Sequence, residues 1–112
     1  MKYRVVVTAA ARQNLRDVYL WAAERAPLTA ENWLARFERE LESLHALPER
    51  CGLAPEDSLV TPEIRQFIYG RRQVTYRALF TIVEDEVRIL HIRRAAQQPA
   101  AADDLRLEEG RS

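Results

Sequence analysis

Residues 74–83, VTYRALFTIV, put Val74, Tyr76, Ala78, Phe80 and Ile82 on one side of an extended chain and Thr75, Arg77, Leu79, Thr81 and Val83 on the other. A run this long, rich in β-branched and aromatic residues, is a strand with one apolar face, and that face needs a layer packed against it. The pair Glu84-Asp85 then leads into EVRILHIRR, a second strand folding back on the first. Glu-Asp is not a strong hairpin signal, so the register stays open. A two-residue loop sets Arg88 and Arg94 beside Arg77; one residue more sets His91 and Arg93 there, because a one-residue slip turns every side chain to the other face.

The layer that covers the strands is legible upstream. Tyr3 to Thr8 is a short β-branched strand, and the Thr8 hydroxyl caps a helix whose Ala11, Leu15, Val18, Tyr19 and Ala22 recur at helical spacing. Ala26, Pro27 and Leu28 interrupt it, and Thr29 is placed to cap a second helix with a stripe of Trp33, Phe37, Leu41 and Leu44. So short a connection makes an antiparallel helical hairpin. Trp21 and Trp33 are expected at or near the core. Residues 47–62, punctuated by Pro48, Gly52, Pro55 and Pro62, read as a loop, and a further strand follows at Ile64 to Tyr69. The order β-α-α-β-β-β specifies an α+β fold, an antiparallel sheet with a helical hairpin packed on one face and the other face open to solvent or a partner.

A chain of 112 residues supports one core. Residues 1–94 form that domain, and 95–112, Ala-rich and ending acidic, read as a mobile C-terminal tail. No run has the length of a signal peptide or membrane span, so the expectation is a cytoplasmic protein with no membrane association. Cys51 is the single cysteine and reads as a packing thiol; the two histidines lie far apart, so neither a metal nor a cofactor is expected. The net charge of zero conceals a segregation. Residues 64–94 hold 7 basic residues, all arginine, against 3 acidic ones, whereas 1–63 hold 8 against 10. Arginine suits planar, bidentate contact with phosphate or carboxylate, and the alternative is a solvated face whose arginines pair with nearby carboxylates.

The opening strand with TAAARQNLRDVY, the SLHALPERCG turn, and the strands IRQFIYG, VTYRALFTI and VRILHIRR resemble, in this order and spacing, the RelE/ParE superfamily of bacterial toxin-antitoxin toxins. The resemblance covers residues 3 to about 94 and implies a type II toxin, of a kind also described as plasmid stabilisation proteins, that inhibits growth and is neutralised in a hetero-oligomer by a cognate antitoxin. Two mechanisms divide the superfamily. RelE-like members resemble ribonucleases that cut mRNA on the ribosome, a reaction needing a proton acceptor, a proton donor and a cation on the developing phosphorane. For that chemistry Arg65, Arg77, Arg93 and Arg94 are candidate phosphate ligands, and His91, Tyr69 or Tyr76 candidate acid or base, with no residue marked as catalytic. Such members are strongly basic, whereas this chain has a pI of about 6.7 and a single lysine, Lys2. ParE-like members bind and inhibit DNA gyrase without hydrolysis. A protein surface needs an apolar centre with arginine or aromatic anchors, and Leu79 with Arg65, Arg77, Arg93 and Arg94 is the expected target-binding set. The ParE-like reading is favoured on that ground. A non-toxic interaction module of the same fold is the third class, because fold does not fix function.

Overall fold

The computed structural model describes residues 2–59, 63–71 and 74–95. Its elements follow as β1 (Arg4–Val7), α1 (Ala9–Ala23), α2 (Pro27–Glu42), β2 (Arg65–Arg71), β3 (Val74–Val83) and β4 (Glu86–Arg94), with 3-10 turns at Ser43–His45, Pro48–Arg50 and Pro55–Leu59. The sheet order is β1-β4-β3-β2. β2, β3 and β4 are antiparallel, and β1 joins β4 in parallel, Arg4 opposite Glu86 and Val7 opposite Ile89. The sheet is therefore mixed, where the sequence pointed to antiparallel pairing throughout.

Thr8 joins the strand layer to the helical layer. Its Oγ1 accepts from the Ala11 N–H at 3.4 Å, capping α1, and donates to the Ile89 carbonyl at 2.8 Å. The parallel strand and the helix that follows it are thus fixed by one hydroxyl. Asn14 makes a second tie, its Oδ1 accepting from the Ile92 N–H at 2.9 Å where β4 runs on past β1. α2 starts three residues earlier than the Thr29 cap implies, with Pro27 in the first turn and Ala26 as its N-cap. Proline is tolerated there because the first-turn N–H has no partner to lose.

The helices cover one face of the sheet as the apolar spacing requires. Ala11, Leu15, Phe37, Leu41 and Leu44 meet Tyr76, Ala78, Phe80, Val87, Ile89 and Ile92 in one buried cluster. Phe37 is at its centre, stacked on Tyr69 at 4.4 Å between ring centroids and edge-on to Trp33 at 5.3 Å. Cys51 packs against the same cluster, and burial raises the pKa of its thiol. At the opposite end of the sheet Glu86 accepts from Arg4 and Arg88, which hold its carboxyl below the ordinary glutamate range.

The second face is not open. Ala54 and Ile64, from the segments on either side of residues 60–62, lie across its middle and bury Leu79 and Leu90 in a second apolar cluster. Hydrogen bonds fasten this cover: Ala54 N–H to the Ile64 carbonyl at 2.8 Å, Ile64 N–H to Asp57 Oδ1 at 2.8 Å, and Thr81 Oγ1 to the Glu63 carbonyl at 2.8 Å. The segment that reads as a surface loop is a layer of the fold.

Candidate functional site

Arg77 projects from the middle of β3 onto the covered face and is 7% exposed. Its two terminal nitrogens meet the two oxygens of Glu56 at 3.0 and 2.8 Å, and Nη1 also donates to Gln66 Oε1 at 3.1 Å. Glu56 is fully buried. This bidentate, desolvated pair locks the cover onto the sheet, and it removes Arg77 from the surface that the sequence reading assigned to it. Leu79, expected as the apolar centre of a binding surface, is likewise 0% exposed, beneath Ala54 and Ile64.

Arg65 is also engaged inside the fold. Its Nη1 donates to the carbonyls of Cys51 at 2.6 Å and Glu49 at 3.3 Å, and Nη2 lies 3.5 Å from Glu63. It holds the 49–53 segment against β2, where Leu53 forms an isolated bridge to Arg65. Two of the four arginines read as target ligands therefore organise the residues between α2 and β2.

The β3–β4 hairpin satisfies both registers left open by the sequence, in different halves. Glu84-Asp85 is a two-residue turn, with Glu84 at φ 56°, and near it Thr81 faces Arg88. A bulge between Leu79 and Phe80 then shifts the pairing: Phe80 faces Ile89, Leu79 faces His91, and Arg77 faces Arg93. One extra residue on β4 re-aims every side chain beyond it. Arg93 and His91 consequently lie on the same face as Arg77, while Arg94, opposite Tyr76, lies on the helix side. Arg93 and Arg94 do not share a face.

The candidate acid and base groups are divided in the same way. Tyr69 and Tyr76 pair across β2 and β3 on the helix side, packed on Phe37 and Trp33, whereas His91 is on the face that carries Leu79. The sheet lies between the imidazole and both phenols. Among the described residues no cluster of His, Cys, Asp and Glu is arranged for a metal ion.

What the helix side does present is an anchor that the sequence reading put in the core. Trp21 is 59% exposed and its neighbour Leu20 53%. Arg25, one turn on, covers the indole at 4.0 Å and donates to the Trp21 carbonyl at 2.7 Å, which fixes the ring as a cation-π pair. Asp17, Val18, Trp21, Tyr76 and Arg94 line a groove of about 320 Å³ between α1 and the ends of β3 and β4. Trp21 is about a quarter turn from the Ala11–Leu15–Val18–Ala22 stripe at 100° per residue, a sequence signal for exposure.

A solved structure described as the chromosomal ParDE TA system from P. aeruginosa shares this fold, with a TM-score of 0.68, 19% sequence identity, and 83% of this chain aligned to 96% of that one. No curated protein matches the sequence at a significant level. The family model described as the ParE toxin of the type II toxin-antitoxin system, parDE, matches residues 5–99, nearly the whole of the chain. The chain belongs to the ParE toxin family of type II toxin-antitoxin systems.

Proposed function

We propose that this toxin acts by binding a protein target, DNA gyrase, without itself performing hydrolysis, and that a cognate antitoxin neutralises it in a hetero-oligomer. The observation that carries this reading is the contrast between the two sets of arginines. Arg77 and Arg65 are committed to Glu56, Gln66 and backbone carbonyls, while the exposed Trp21, held by Arg25, stands beside a groove lined by Tyr76 and Arg94. Aromatic and arginine anchors beside an apolar pocket are the features of a protein-binding surface. In-line cleavage of RNA asks instead for proton donor, proton acceptor and cation around one phosphate, and the sheet separates His91 from Tyr69 and Tyr76.

The test is controlled expression of the chain in a bacterial host. Growth arrest with DNA-damage signalling is expected while abundant transcripts, followed by primer extension, stay intact. Codon-positioned cleavage that depends on ribosomes would establish the ribonuclease mechanism instead, and unaffected growth at a verified level of folded protein would leave a non-toxic module. Trp21→Ala is expected to weaken toxicity with thermal stability almost unchanged, since a hot-spot aromatic contributes ~2 kcal/mol or more, roughly 30-fold in affinity. Arg36→Ala and Arg39→Ala, on the exposed side of α2, are the matched controls.

A further inference from the structure

Gln13, Asp17, Trp21 and Arg25 follow one another at intervals of four along α1 and the turn that ends it, and all four are exposed. The bond from the Ala26 N–H to the Ala22 carbonyl at 2.9 Å carries the helical path through Arg25. The four therefore make one ridge, with an acid ~6 Å before the indole and a base ~6 Å beyond it. Both charges are already oriented. Asp17 Oδ1 accepts from Gln13 at 2.8 Å, and Arg25 donates to the Trp21 carbonyl while its guanidinium lies over the ring. Neither charge is in an ion pair among the described residues. Eight residues, ~12 Å, separate them, beyond the i+4 neighbours that pair on a helix surface.

We infer that this ridge docks a second copy of the chain, α1 against α1 and antiparallel, about a two-fold axis beside Trp21. A two-fold contact brings one patch against itself, so the patch must be self-complementary. An acid and a base at matched distances on either side of an aromatic residue meet that condition. Reversing the helix direction sets Asp17 opposite the partner's Arg25 and Arg25 opposite the partner's Asp17, with the two indoles side by side at the axis. Ridges of this i±4 kind pack together when the helices cross at ~50°. Each indole then reaches the groove of about 320 Å³ that Val18 and Tyr76 line on the other copy, and the exposed Leu20 is covered with it. A foreign protein would account for the apolar centre, but it sets no requirement for opposite charges at equal distances. A single pair of helices is a contact at the low end of interface sizes, so dilution releases the monomer. The dimer hides Trp21, the anchor assigned above to the target; on that reading the monomer is the form that binds gyrase.

Sedimentation equilibrium on the full-length chain, free of antitoxin, tests this. The native chain should pass from monomer to dimer between ~1 and ~300 µM. Asp17→Arg and Arg25→Asp should each weaken the dimer at least ~10-fold, because each sets two like-charge pairs across the axis. Mixed in equal amounts, the two variants should form a heterodimer at least as tight as the native dimer, which also shows that both are folded. Trp21→Ala should stay monomeric throughout. A native chain that is monomeric at every concentration would overturn the inference. So would a dimer indifferent to Trp21→Ala, or a mixture no tighter than its components. Sedimentation reads no target, so a dimer of this kind together with unimpaired gyrase would sink the gyrase reading alone.

Discussion

Arg77→Ala is expected to lower the unfolding free energy by about 3–5 kcal/mol, a large share of the ~5–15 kcal/mol that holds a domain of this size. The reason is the charge left behind. Glu56 is fully buried and takes both its oxygens to Arg77, so truncating the guanidinium deprives a desolvated carboxylate of its counter-charge and frees Gln66 Oε1 as well. Denaturant midpoints measure this directly. The double variant Arg77→Met/Glu56→Leu should recover most of the loss, because two apolar side chains of similar volume remove both charges together. An Arg77→Ala chain of native stability would mean that the cover formed around Ala54, Glu56 and Ile64 is not held by this pair. Reduced toxicity of Arg77→Ala taken alone would report on folding and not on target contact.

The second large effect belongs to Phe37→Ala, expected to cost about 3–5 kcal/mol. Phe37 is 0% exposed, and its ring has Tyr69 stacked on it with Trp33 and Tyr76 tilted around it. Removing it leaves a cavity bounded by three rings that cannot all collapse inward. Phe37→Leu should cost less, about 1–2 kcal/mol, by keeping much of the volume. Tyr69→Phe keeps the stacked ring and deletes only the hydroxyl, so it should preserve both stability and toxicity. Loss of toxicity from that single oxygen would assign proton-transfer chemistry to Tyr69 and contradict the binding mechanism.

Periodicity carried most of the fold. The Phe37–Leu41–Leu44 stripe and the Tyr76–Ala78–Phe80 alternation are both buried where their spacing puts them, because helix and strand periods are local properties of the chain. The partner of β1 was not legible in that way. Parallel pairing with β4 joins residues 82 apart, and nothing local in RVVV specifies which edge it takes. The bulge did leave a trace. Val87 and Ile89 keep the two-residue period, and the next core residue, Ile92, comes three later, with Leu90 turned to the other cluster.

The candidate site was less readable for a related reason. Arg77 on an outward position of β3 has the pattern of a solvated or target-binding residue, and its burial follows from Glu56, 21 residues upstream in a proline-punctuated segment. The warning lay in its neighbours, since Leu79 and Leu90 are apolar residues that a solvent-facing surface does not require. Arg94 was placed in the expected binding set, but its company is Trp21 and Tyr76 on the helix side and not Arg77 and Arg93. Sequence could not separate Arg93 from Arg94 without the bulge.

Gyrase binding by this ParE-family chain is the proposal on which the proposed function rests. The most direct measurement is supercoiling of relaxed plasmid by purified gyrase and ATP with increasing amounts of the purified full-length protein. Inhibition at stoichiometric or modest excess is predicted, relieved by the cognate antitoxin and weakened by Trp21→Ala. Undiminished supercoiling at every concentration of folded protein would contradict the account.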